Sequence, residues 1–228
     1  MSPVPTRYDV TDSAQRESGI TAAATSIRAG ELVVMPTDTV YGLAADAFDP
    51  AAVRRLLEAK GRGRDMPPPV LVGSIATLDA LGATMPSWVS DLVGRYWPGP
   101  LTVVVREQSS LQWDLGDTRG TVAVRMPHDP VALELLGRTG PLAVSSANLT
   151  GRPAATDADQ AAEMLSDKVS VILDSGPTVD DRPSTILDCT GDQPRMLRAG
   201  AIPADELRTV LAGSDVVLDD SAEGDAGA

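Results

Sequence analysis

The chain predicts an α/β fold: a single domain with a twisted mixed β-sheet flanked by helices. Three observations carry that reading. Short β-branched runs alternate with stretches whose apolar residues recur at helical spacing. The strand candidates are apolar at successive positions, as in Leu32-Val33-Val34-Met35, which marks a sheet covered on both faces. Finally, the runs at 184–188 and 195–198 flank Gly191-Asp192 and read as a hairpin, so the sheet has antiparallel members.

The elements follow in order. Ile20, Ala23, Ala24 and Ile27 fall at helical spacing, with Gly30 placed to end that helix. Residues 32–35 make a buried strand stopped by Pro36. Asp49-Pro50 is an N-cap followed by proline in the first helical turn, and Val53, Leu56 and Leu57 give the helix an apolar face. The same start recurs at Asp129-Pro130, ahead of Val131, Leu135 and Leu136. Further strands are predicted at 69–73, 101–106, 121–126, 142–145 and 169–174, and further helices at about 75–82, 87–96, 157–165 and 203–212. The domain is expected to run over 10–212. Residues 213–228, acidic and ending in small residues, read as a disordered tail.

Composition removes several kinds of chemistry. One Cys (Cys189) and one His (His128) can form neither an intrachain disulfide nor an N/S-liganded structural zinc site, and a hydrolytic triad would have to run through His128 alone. His128 reads as an exposed turn residue and Cys189 as core. The lone thiol points to a reducing compartment. With no apolar leader at the start and no run of ~18 apolar residues, a cytoplasmic protein is expected, with no membrane contact. A net charge of −13 argues against wholesale RNA binding.

The basic charge is nonetheless concentrated. Arg54, Arg55, Lys60, Arg62 and Arg64 lie within eleven residues that hold one acid, Glu58. The chain has seventeen arginines but only two lysines, so a lysine kept at position 60 suggests a compact point charge is needed there. Glycines on either side of Arg62 let backbone approach a ligand, and the set suits a polyphosphate. A solvated helix end accounts for Lys60 but not for the glycine–arginine alternation.

Other segments carry polar groups at strand ends, where open α/β sheets collect ligands. Pro36–Leu43 holds Thr37, Asp38, Thr39 and Tyr41 directly after a buried strand; a capped turn would explain it equally well. Arg125 shares one strand face with Thr121 and Ala123 and needs a partner, either a carboxylate ligand or a structural acid. Val144-Ser145-Ser146-Ala147-Asn148 runs from an apolar strand into a polar turn that could bind an anion or nucleotide. Ser184-Thr185 and Arg198-Ala199-Gly200 are similar insertions, whereas Trp97-Pro98-Gly99-Pro100 reads as a structural turn.

These motifs, taken in order, resemble the YrdC-type L-threonylcarbamoyladenylate synthases. The likeness covers about Ile20 to Ile202. It rests on Pro-Thr-Asp-Thr-Val-Tyr-Gly-Leu (36–43), Lys-x-Arg (60–62), Trp-Pro-Gly-Pro-Leu-Thr (97–102), Val-Ala-Val-Arg-Met-Pro (122–127), Ser-Ala-Asn (146–148) and Ser-Thr-Ile (184–186). The resemblance implies a YrdC-like fold and a nucleotidyltransferase. It would convert L-threonine, bicarbonate and ATP to threonylcarbamoyl-AMP and pyrophosphate, for later transfer to adenosine 37 of tRNA. Thr37, Arg125 and Ser184, with backbone near Val144, would hold threonine. Lys60 and Arg62, the catalytic pair, would hold phosphates, with Arg64 adding a contact. Thr121, Ser146, Asn148 and Arg198 would line the nucleotide site. Mg²⁺ would enter with ATP and take no protein ligand. Bicarbonate or CO₂ is the co-substrate, and a downstream tRNA threonylcarbamoyl-transferase complex is the implied partner, with weak tRNA contact. The chain departs from the family where Met66 and Leu71 replace a common Asn and His. The alternative is an RNA-binding or ribosome-maturation factor on the same fold, motivated by the basic 54–64 segment and opposed by the few aromatic residues available for stacking.

Overall fold

The computed structural model describes residues 4–178 and 182–221. The described chain starts β1 (Thr6–Asp9), α1 (Ser13–Arg28), β2 (Val33–Met35), β3 (Gly42–Asp46), α2 (Pro50–Lys60) and β4 (Val70–Leu71). It continues through α3 (Ile75–Leu81), α4 (Ser87–Tyr96), β5 (Leu101–Arg106), β6 (Thr121–Arg125), α5 (Pro130–Thr139) and β7 (Leu142–Ser146). It ends with α6 (Ala158–Leu165), β8 (Val171–Asp174), β9 (Thr185–Asp188), β10 (Arg195–Arg198) and α7 (Ala204–Leu211). The strands make one mixed sheet in the order β1-β8-β2-β3-β7-β4-β6-β5-β9-β10. β9 and β10 form the antiparallel hairpin, while β5 and β9 run parallel.

The local signals have clear structural counterparts. Asp49 and Asp129 each accept two main-chain N–H bonds at the starts of α2 and α5, with proline just inside both helices. Gly61 closes α2 in the left-handed conformation, φ 66°, and so turns the chain abruptly after Lys60.

Several boundaries differ from expectation. β1 pairs with β8, so the domain begins before residue 10. β3 starts inside the segment read as a loop, because Gly42–Asp46 pair with β7. Its Gly-Leu-Ala-Ala composition has little β propensity, and only sheet burial makes it a strand. Residues 213–221 are not a loose tail either. Leu218 is buried, and the Met196 N–H donates to the Asp219 carbonyl at 2.7 Å, laying this segment against β10. Residues 222–228 of the expected tail lie outside the described residues.

The packing explains where a site can open. Alternation along the strands sends Val34, Leu43, Ala45 and Ile172 to one face, under α2 and α6. Val103, Val105, Val124 and Leu187 continue that face beneath α4 and α7. On the other face α1 and α5 cover Val33, Ala44, Leu142, Val144 and Leu173. They leave the same face of β6, β5, β9 and β10 without a helix, and there Ala123, Val104 and Ile186 are partly accessible. One face is therefore roofed throughout, the other over half its width.

Candidate active site

A cavity of about 280 Å³ lies at the edge of that unroofed half. Strand register builds its floor. Arg198 pairs with Ile186, Ile186 with Thr102, and Leu71 with Arg125. Thr102 and Arg125 stand one step beyond the Val103–Val124 pair. All five side chains face the cavity. Gly42 completes the wall beside Val144; a Cβ there would come within 2.7 Å of Val144 Cγ1.

Three guanidinium groups converge on this space: Arg62, Arg125 and Arg198. The Arg125 side chain donates from Nη2 to Asp38 Oδ1 (2.6 Å), from Nη1 to Thr39 Oγ1 (3.0 Å) and from Nε to the Gly99 carbonyl (3.0 Å). The structural acid is thus Asp38, whose Oδ1 also accepts the His128 N–H. Five N–H groups with three bonds leave Arg125 two donors for a ligand. Arg198 grips the Ser184 carbonyl through Nε and Nη2, and the Ser184 hydroxyl lies 2.8 Å from Thr102 Oγ1. Burial, then the neighbouring Arg125 and Arg62, hold the Arg198 pKa below the ordinary arginine value. Such a cluster of like charges favours an anion in the space between them.

On the far wall Arg62 donates from Nη1 to Ser145 Oγ (3.2 Å) and from Nε to Thr150 Oγ1 (3.3 Å). Thr37 donates to the Val40 carbonyl at 2.6 Å and accepts from the Thr39 N–H, so its turn is self-capped while its side chain borders the cavity. The turn explanation of that loop therefore holds, and the same turn lines the cavity.

The structure therefore gathers Thr37, Arg62, Arg125, Val144, Ser146, Ser184 and Arg198 around one space, with Leu71 in the floor. Four of the residues that the resemblance assigned to the site stand elsewhere. Lys60 is 1% exposed and sits behind the wall, against Ser146 and Asn148. Asn148 is buried there with it. Thr121, four residues before Arg125 on β6 and ~13 Å from it at strand rise, donates to the Thr118 carbonyl. Arg64 turns outward to Asp114 (2.8 Å) and Asp117 (3.5 Å). Met66 does not border the cavity. His128 is exposed, and Cys189 is buried just beyond β9 with its thiol pKa pushed up by burial. Sequence reasoning missed the Gly99 carbonyl, which makes the Pro-Gly-Pro turn part of the site, and Thr102, which supports Ser184. Both belong to the quoted Trp-Pro-Gly-Pro-Leu-Thr motif, but only the register shows their targets.

The cavity's polar lining is guanidinium groups, hydroxyls and main-chain atoms, and Asp38, outside that lining, is held by Arg125. Among the described residues no group of three or more His, Cys, Asp or Glu side chains is arranged to hold a metal. No helix of the described chain is long and apolar enough to cross a membrane.

The Sua5/YciO/YrdC family model, described as telomere recombination, matches residues 25–200. A putative threonylcarbamoyl-AMP synthase of Mycobacterium tuberculosis is 54% identical over 204 residues, 90% of this chain and 94% of its own. The structure of Sua5 from Pyrococcus abyssi complexed with L-threonine superposes with a TM-score of 0.85 at 36% identity, covering 97% of this chain. This chain spans 64% of that longer one. E. coli YciO shares the fold, with a TM-score of 0.78 at 23% identity. With the family model covering well over half of its length, the chain belongs to the Sua5/YciO/YrdC family.

Proposed function

We propose that the protein is a threonylcarbamoyl-AMP synthase. It would join L-threonine, bicarbonate and ATP and release pyrophosphate, the first step of tRNA N6-threonylcarbamoyladenosine formation. The observation that carries this reading is the convergence of Arg62, Arg125 and Arg198 on one cavity beside the Thr37 and Ser184 hydroxyls. It is supported by a 54% identical relative bearing that name and by a threonine-bound structural neighbour.

The chemistry asks for positioning rather than proton transfer. Threonine's neutral amine attacks the bicarbonate carbon, and loss of water gives a carbamate. A carbamate oxygen then attacks the ATP α-phosphorus, the bond to the β-phosphate oxygen breaks, and pyrophosphate leaves. Arg125, with two unspent donors, would take the amino-acid carboxylate, with Thr37 and Ser184 lining the same cavity. Arg62 and Arg198, which line that cavity, would neutralise charge on the transferring phosphate. Thr121 lies far enough along β6 to reach the distal part of a nucleotide whose phosphates sit by the arginines. Magnesium entering with ATP would keep phosphate and water oxygens as ligands, as this ion commonly does. Its chemistry there is further charge neutralisation.

The test supplies protein with Mg-ATP, labelled bicarbonate and threonine. Threonine-dependent pyrophosphate together with labelled threonylcarbamoyl-AMP is the expected result; absence of both products ends the reading.

A further inference from the structure

The Lys-x-Arg motif invites the view that both cations touch phosphate, yet only Arg62 borders the cavity. We propose that Lys60 is a positioning residue, a buried pin that locks the turn after β7 to the end of α2 and makes no contact with substrate. The proposal deepens the synthase reading and rests on the same site.

The geometry leaves the ammonium no free donor. Lys60 Nζ donates to the Ser146 carbonyl (2.5 Å), the Asn148 carbonyl (2.8 Å) and Asn148 Oδ1 (3.1 Å), with Ser146 Oγ at 3.5 Å. Three N–H groups meet three acceptors. Asn148 is equally committed, since Nδ2 donates to the Leu149 carbonyl (3.0 Å) and the Arg152 carbonyl (2.6 Å). The main chain closes the joint where the Thr150 N–H donates to the Lys60 carbonyl at 3.1 Å. What this joint positions does face the cavity: Ser146, Ser145, and Arg62, which Ser145 and Thr150 hold in turn.

Residue type fits the task. Carbonyls converging on one point suit a compact tetrahedral ammonium, which a planar guanidinium cannot replace. The cations near this joint are Arg62 and, at the adjacent Ala59 carbonyl, Lys168; among the described residues no carboxylate pairs with Lys60. Burial and Arg62 push its pKa down to about 7, while the carbonyls favour the protonated form.

Calorimetry with Mg-ATP, Mg-ADP and AMP on the wild type, Lys60→Met, Asn148→Ala and the double variant separates a pin from a phosphate ligand. A pin predicts that Lys60→Met weakens all three nucleotides by the same factor, within about threefold, because the wall is displaced as a unit. It also predicts that the double variant is no worse than the poorer single variant, since both break one joint. Lys60→Arg should fail to restore turnover. A loss for ATP at least about tenfold greater than for AMP, additive single effects, or near-native turnover of Lys60→Arg would each overturn the proposal. Should Lys60→Met fail to fold, Asn148→Ala retains the ammonium and carries the same nucleotide comparison. The binding series needs no turnover, so failure of the synthase reading would be seen separately, as absent products in the wild type.

Discussion

Two buried cations flank the same cavity and are held in opposite ways. Arg125 is neutralised by Asp38, an ion pair whose side chains are 8% and 12% exposed. Lys60, 1% exposed, is held by uncharged acceptors alone. The first cation is electrically compensated, and three of its five N–H groups are spent on the protein while its side chain lines the cavity. The second has no counter-charge and has spent its donors internally. Under the proposed function, compensation would serve recognition at the end of the cavity expected to meet the amino acid. At the end expected to meet polyphosphate, uncompensated charge and a rigid joint serve alignment.

The largest effect that could break this contrast comes from Arg125→Met. It leaves the Asp38 carboxylate buried without its cation, and breaking such pairs costs about 3–5 kcal/mol. The variant should melt well below wild type and lose threonine-dependent product. Asp38→Asn should lower the melting temperature less, since the amide still accepts from Arg125. If Arg125→Met melts like wild type, the pair is not the structural element described above.

Lys60→Met should behave in the opposite way. Removing a buried uncompensated charge should leave the melting temperature close to wild type, while misalignment of Arg62 and Ser146 lowers kcat about a hundredfold. A variant that unfolds as readily as Arg125→Met would erase the distinction between the two cations.

How far these roles could be read from the sequence follows from how local each signal is. Both Asp-Pro helix starts, the apolar strands and the 195–198 hairpin arm are specified within a few residues, and the structure has them where the pattern puts them. β3 was not legible, because Gly42–Asp46 pair as a strand only through β2 and β7. The segment beyond 213 was misread from its acids, although Leu218 needed only an edge to bury against. Arg125's need for a partner was legible, but the choice of Asp38, 87 positions away, was not. Likewise, the scarcity of lysine singled out position 60, but composition could not show that its acceptors would be carbonyls of a distant turn.

A subtler separation of the two cations lies in pH. Lys60 has a folded pKa of about 7 against 10.5 in the unfolded chain. Below about 7 both states are protonated and the cost of burying the charge is fully present. Between about 7 and 10.5 the unfolded state binds more protons, so this group makes stability rise with pH. Activity should move the other way, because the neutral amine has only two hydrogens for three acceptors. Wild type should therefore gain melting temperature relative to Lys60→Met as pH rises through that window, while its turnover falls. Parallel melting curves for the two proteins across the window would remove Lys60 as the titrating group.

The smallest effect belongs to Arg64, two residues beyond Arg62 and the natural candidate for a third phosphate contact. Its guanidinium lies more than half exposed and is spent on Asp114 and Asp117. Exposed pairs of this kind contribute little, because solvent screens them and long side chains resist being fixed. The Arg64 carbonyl has the more structural task, accepting the Asp117 N–H at 2.7 Å, and alanine preserves it. Arg64→Ala should accordingly keep turnover and the KM for ATP within about threefold of wild type. A rise in the ATP KM well beyond that, with threonine KM unchanged, would mean that Arg64 leaves its two acids to meet phosphate. The positive end of the cavity would then be assembled by substrate rather than built in advance.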